Sequence, residues 1–449
     1  MSQEEFEEIK LTKSASEIRA SHAIIRKTTY LESIIHLIKG NVGAGLFAMG
    51  KAIQHAGLFF GFVSALVIGS ICTYNNHVLV NCANHIQMIS KSEFLPNFPE
   101  TVELCFRIGP EKLRRLHVYA GMMTKSFIIV TQLGFCSIYL VFVAETTLSI
   151  LKRYVDNIPQ DTRIYICIVA VPMIATALIS TLKFLTPVSF ISDALIFTGI
   201  LLCVYACSMS GFPHYTERAL IQSPEMWPVF IATTVFSFEG IALVIPIHNE
   251  MINTELFGKP YGVLNIGMLI VVLGTASMGL IGYWRFGDDI KGSITLNFDH
   301  EVVGQILQLC VGIGILLTYA IQFHVAVDVT WWDVVKIANI NKNVLLWELA
   351  YRLGLALMTV LAAATIPFLH IFVTIVGSIF STTLALFLPA MCDVCIRTAP
   401  ADIRLKSSNK FIQVFRFFMD FITLVLASIA LVTGSIISFY ELYKAFKEQ

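Results

Sequence analysis

Apolar runs separated by short polar turns recur along the whole chain. A helix needs about 20 predominantly apolar residues to cross a bilayer. Eleven segments meet that requirement: 31–56, 57–86, 118–149, 163–183, 187–210, 227–250, 261–285, 302–330, 345–367, 369–394 and 413–442. The pattern predicts an all-α polytopic membrane protein with eleven transmembrane helices. The stretch 92–116 departs from it: its FPETVELCFRIGPEKLRRL is charged and turn-rich, and reads as a short helix within a cytosolic loop, 88–117. Lysine and arginine set the orientation. With the N-terminus inside, about 20 basic residues fall beside inner segments and about 9 beside outer ones. The inner set includes Arg26, Lys27, Arg114, Arg115, Arg397, Arg404 and Lys406. The polar N-terminal tail, 1–30, has no signal peptide and is expected to be cytosolic.

Two of these segments are poor helices. HLIKGNVGAGLFAMG, 36–50, places Gly40, Asn41, Gly43 and Gly45 in the middle of the first. Glycine weakens a helix by about 1 kcal/mol relative to alanine, and asparagine competes for backbone hydrogen bonds. Alone, this is also the signature of a close helix-packing face. The sixth segment, WPVFIATTVFSFEGIALVIPIHNE, carries Glu239-Gly240 at its centre and Pro246 beyond. Proline frees the carbonyl four residues earlier, and a glutamate at that depth is by default a functional residue. The first and sixth segments run in opposite directions, and each opens a block of five. Interrupted helices at matching positions of two inverted halves point to a transport site at the midplane. Half-helix N-termini there favour an anionic group and unwound carbonyls a cation, a pairing that suits a zwitterionic amino acid.

Composition agrees. The 449 residues are 56% hydrophobic and 14% charged, with mean hydropathy +0.73; soluble proteins are about 25% charged. Net charge is zero, which suggests no nucleic-acid partner. The ten cysteines avoid the expected exterior loops, so a disulfide framework is not expected. Cys392 and Cys395 are spaced as a CxxC, without a second pair in the sequence. No P-loop, HExxH or GxSxG sequence supports an enzyme, and no metal or other cofactor is expected.

Five stretches carry a family resemblance: HLIKGNVGAGLFAMGKAIQHAG, TQLGFCSIYLVF, FSFEGIALVIPIHNEM, GYWRFGDDIKGSITLN and YAIQFHVAVDV. In these the chain resembles the proton-coupled amino acid transporters of the amino acid/auxin permease superfamily, from about residue 28 to the end of the last span. The resemblance implies a LeuT-type 5+5 inverted repeat plus one helix, with helices 1 and 6 broken at the midplane. It divides the chain into tail 1–30, repeat one 31–210, an exterior loop with helices 6–9 at 211–367, and the last two helices at 368–449. It also implies symport of a proton with a small neutral amino acid across a plasma, lysosomal or endosomal membrane.

The resemblance gives His36 the role of proton-coupling residue; independently, histidine changes charge near physiological pH and positions 36, 40 and 43 share a helical face. Glu239 either carries the proton, ties the broken halves together or pairs with Lys39, which otherwise snorkels to the cytosol. Gly40, Asn41, Gly43, Ala44 and Gly45, with Phe236, Ser237, Phe238 and Gly240, are the candidate walls of the substrate site. Thr131, Gln132 and Phe135 in span three, and Tyr319, Gln322 and Phe323 in span eight, are candidates for selectivity, against the plain alternative of aromatic packing. The polar set Asn76, His77, Asn81, Asn84 and His85 in span two is expected to hydrogen-bond within the bundle, and Asp193 and Glu145 have no assigned role. The family often reads G-T-G-L-L-G-L-P in span one; here Ala44 replaces the threonine and Gly50 the proline. Two other functions remain open: sodium coupling, which needs hydroxyl ligands near Thr318, and an amino acid sensor with little transport.

Overall fold

A computed structural model describes residues 27–92, 94–179, 182–209, 211–298, 302–339, 342–400 and 410–447. The tail up to Arg26, and Arg404 and Lys406, lie outside the described residues. The described chain is all-helical apart from one isolated β-bridge. In order the helices are α1 Tyr30–Asn41, α2 Ala44–Ala56, α3 Leu58–Ser90, α4 Phe98–Ile108, α5 His117–Leu151, α6 Thr162–Ala177, α7 Leu182–Met209, α8 Trp227–Ser237, α9 Ile241–Glu250, α10 Val263–Phe286, α11 Val302–Ile337 and α12 Val344–Thr365. Two long elements with internal π-turns follow, α13 Leu369–Arg397 and α14 Gln413–Lys447. Among the described residues nine helices are long and apolar enough to cross a membrane, α8 and α9 counting as one segment, Pro224–Glu250. α6 is shorter, and α1 and α2 shorter still.

The elements begin and end where local chemistry dictates. Thr29 and Glu32 form a capping box at the start of α1, and Asn97 and Glu100 form another at α4, each satisfying two backbone donors reciprocally. The short helix expected within 92–116 is therefore α4. Between α2 and α3 the chain turns at Gly57, whose φ of +97° is left-handed; a side chain there would also strike the backbone of Ile221. That turn holds the 211–226 segment, with Leu58 N–H donating to Ala219 O at 2.8 Å and Gln222 N–H to Ala56 O at 2.9 Å.

Two apolar cores form. One gathers α1, α3, α4, α8, α9, α10 and the end of α13. The other gathers α5, α6, α7, α11, α12 and the start of α13. α2 lies between them: Met49 and Ile53 belong to the first core, Ala44, Leu46 and Phe47 to the second. α5 and α13 are mostly buried, whereas α12 and α14 are mostly exposed. Their outward faces are apolar, including Leu346, Leu361, Phe417 and Phe421, as lipid contact requires. All ten cysteines are free thiols.

Candidate functional site

The glycine-rich stretch of the first segment separates α1 from α2, leaving only Val42 and Gly43 outside both helices. In the sixth, Phe238, Glu239 and Gly240 separate α8 from α9. Neither α2 nor α9 has a side-chain cap, so each presents backbone N–H groups without intrahelical partners. The two interruptions meet. A side chain on Gly45 would stand 2.9 Å from Ser237 Cα, and one on Gly240 would overlap the Asn41 amide. Glycine at these two positions is the condition for the approach. The Ser237 hydroxyl is placed to donate to Gly45 O at 3.0 Å or Thr233 O at 2.8 Å, and Asn41 Nδ2 donates to Leu37 O at 2.8 Å.

A cavity of about 20 Å³ lies at this meeting point, lined by Gly40, Asn41, Val42, Gly43, Ala44, Gly45, Phe135, Tyr139, Phe236, Ser237, Glu239 and Gln322. That is room for about one water molecule, so an amino acid enters only when the lining moves apart. Phe135 and Phe236 close one side edge to face, with ring centroids 5.1 Å apart. Glu239 is buried and its Oε2 has no hydrogen-bond partner; Ser381, in a π-turn of α13, faces it. The Asn41 Oδ1 is buried and likewise unpartnered. The site thus offers a helix N-terminus to an anionic group and buried oxygens to a cationic one.

Of the expected residues, the cavity brings together Gly40, Asn41, Gly43, Ala44, Gly45, Phe135, Phe236, Ser237, Glu239 and Gln322. Six of the substrate candidates lie outside this lining, Gln132 and Phe323 among them. Phe238 is packed in the first core. Gly240 touches Asn41 from outside the lining. Thr131 is buried one turn before Phe135 along α5. Tyr319 stacks on Phe323 and shares a 3.0 Å hydrogen bond with Thr359. Their periodicity fits packing as well as it fits a pocket. His36 is exposed, and one helical turn separates it from the lining. Lys39 pairs not with Glu239 but with Asp193 of α7, Nζ to Oδ2 at 3.1 Å. Gly50, in place of the family's proline, lies inside α2, where a side chain would overlap Ile290. In span two, His77 Nε2 is 2.8 Å from Asn265 Oδ1 of α10, and Asn81 and Asn84 line a cleft of about 570 Å³ with His248 and Asn249.

Tyr139 and Val42 were not singled out by the sequence. Tyr139 Oη would be 2.9 Å from a Cβ on Gly43, so it stands over the N-terminus of α2. Its signal was available: Thr131, Phe135 and Tyr139 recur every fourth residue along one face of α5.

The chain, over residues 26–437, matches the family described as "Transmembrane amino acid transporter protein". It is 29% identical to the "Proton-coupled amino acid transporter-like protein pathetic" of Drosophila melanogaster, over 82% of this chain and 77% of that one. It is 22% identical to the "Probable amino acid transporter skat-1" of Caenorhabditis elegans, over 94% and 91%. Among solved structures it superposes on MhsT in complex with L-phenylalanine, with a TM-score of 0.56 at 11% identity, covering 92% of this chain and all of that one. It also superposes on inward-facing Mhp1, with a TM-score of 0.52 at 11% identity, covering 94% and 92%. The fold is therefore of the LeuT type, and its apolar helices make the chain an integral membrane protein. Its relatives are transporters, not enzymes. With a match to nearly its whole length, the chain belongs to the transmembrane amino acid transporter family.

Proposed function

We propose that this protein is a symporter that moves small neutral amino acids with protons by alternating access. In this reading the chain crosses the membrane eleven times, with α1/α2 and α8/α9 as interrupted crossings related by an inverted repeat. The N-terminus is cytosolic. The observation that carries the reading is the convergence of two interrupted helices on one small cavity between two separately packed cores. The uncapped start of α2 receives the substrate carboxylate. Glu239 and the Asn41 amide oxygen, both unpartnered, face its amino group. Phe135, Phe236 and Tyr139 leave room for a small side chain only. Proton coupling rests on His36 and on the printed name of the Drosophila relative.

The sodium alternative requires hydroxyl oxygens beside α11, and Ser192 and Thr318 are there, 2.7 Å apart, so the choice of coupling ion belongs to the experiment. Purified protein in liposomes, with an imposed pH gradient and sodium replaced, provides the test. Uptake of small neutral amino acids that follows the pH gradient and ignores sodium is expected, and His36→Ala is expected to remove the acid stimulation. Binding without flux would instead identify a sensor.

A further inference from the structure

The two cores face each other across the cavity, and on one side, beside the packing of α7 on α10, an ion pair joins them among the described residues. α1 packs mainly on α9 and α10, while the principal neighbour of α7 is α11. The α1 and α7 backbones scarcely approach each other. Yet Lys39 of α1 reaches Asp193 of α7 at 3.1 Å. Gly40 and Asn41, the next two residues, line the cavity, so the bond lies directly beside it. The pair is partly exposed: the Asp193 side chain is 36% exposed, Lys39 is 16% exposed, and His36, one turn back, is exposed.

We propose that the Lys39–Asp193 ion pair is the strap that closes the cytosolic path to the substrate cavity, and that Asp193 releases it by accepting the proton that enters through His36. The assignment of that side as cytosolic, and of the proton as coupling ion, rests on the function proposed above. The step balances simply. A proton moves to the Asp193 carboxylate, which becomes a neutral acid; Lys39 keeps its charge and loses its counter-ion; α1 is then free to leave α7. Among the described residues the charged groups acting on Asp193 are Lys39 and His36, both from α1, and Glu32 in turn acts on His36. The neighbouring hydroxyls, Ser192 on α7 and Thr318 on α11, bond to each other and to Gly314 O. An ion pair of this exposure is worth about 1 kcal/mol or less. It biases two states without locking either. Lys39 and Asp193 are positioning residues, since neither lines the cavity.

The test uses the full chain in inside-out proteoliposomes. The background carries Val42→Cys as reporter and Cys167→Ser to remove the exposed native thiol. A membrane-impermeant maleimide is applied from the cytosolic face. Lys39→Ala and Asp193→Asn are expected to speed labelling at position 42 about fivefold, the shift that such a pair can hold. Asp193→Glu and the charge swap Lys39→Asp/Asp193→Lys are expected to restore the parent rate. In the native background Asp193→Asn is expected to keep amino acid exchange but lose acceleration by a pH gradient. Unchanged labelling in both single variants overturns the strap. So does a swap variant that folds, by its thermal unfolding, yet labels as fast as the singles. Undiminished pH acceleration in Asp193→Asn overturns its part in proton release. If the parent chain transports no amino acid while labelling responds as expected, the proposed function falls and the strap stands.

Discussion

At the scale of single residues, the site depends on what is missing. Gly45 lets α2 come within contact of α8, and the atom that would be struck is Ser237 Cα, which cannot rotate away. Gly45→Ala is therefore expected to cost about 1–3 kcal/mol, the usual penalty for overpacking. A lowered unfolding temperature in detergent, with reduced uptake, would register it; a variant as stable and active as the parent would show that the two half-helices have slack. Much of this contact was legible in the sequence, because glycine density inside an apolar run has few explanations. Tyr139 was not, although its spacing was. An aromatic residue inside a span gives the same pattern whether it faces a cavity or a neighbouring helix. That ambiguity also misplaced Tyr319 and Thr131. Phe238 was misplaced for a different reason: it sits in the interruption itself, where helical phase no longer predicts direction.

At the scale of elements, the sequence located the apolar runs but not the polar ties between them. Arg352 is the clearest case. It is 2% exposed in the middle of α12, and no role was assigned to it. Its Nε donates to Glu348 at 2.8 Å, its Nη1 is 3.2 Å from both Ala177 O and Ile179 O, and its Nη2 is 3.3 Å from His324 Nδ1. One side chain thus ties α12 to α11 and to the C-terminal carbonyls of α6. Arginine has no acceptor, so in this contact the imidazole Nδ1 is the acceptor and carries no proton. Arg352→Met strips the partner from Glu348 and leaves carbonyls unsatisfied. Its expected cost is about 3 kcal/mol, the low end for breaking a buried pair because Glu348 is partly exposed. Adding Glu348→Gln should recover part of the loss in unfolding temperature. Such a tie joins residues 175 positions apart, which no local pattern encodes. The π-turns of α13 were not read from the sequence either; there Gly377 lies close against the backbone of Ala232.

At the scale of the whole molecule, the cavity falls on the seam between two cores. In the alternating access proposed above, each core would keep its packing while the lining parts along this seam. The topology proposed above can be checked on the same terms. An epitope inserted at Gly211, where a side chain would meet open space, should be accessible from outside intact cells. One inserted at Glu111, in the exposed polar turn after α4, should become accessible only after permeabilisation. The reverse result would invert the direction of every gate described here. The isolated bridge between Thr28 and Met251 adds a constraint on how such gates operate. Thr28 N–H donates to Glu250 O at 2.7 Å, and Ile252 N–H to Thr28 O at 3.0 Å, so the start of α1 is spliced to the end of α9. The two half-helices form one lever with a common root, and a force applied to either is delivered to both. A latch on α1, such as the proposed Lys39–Asp193 pair, would then hold both half-helices at once.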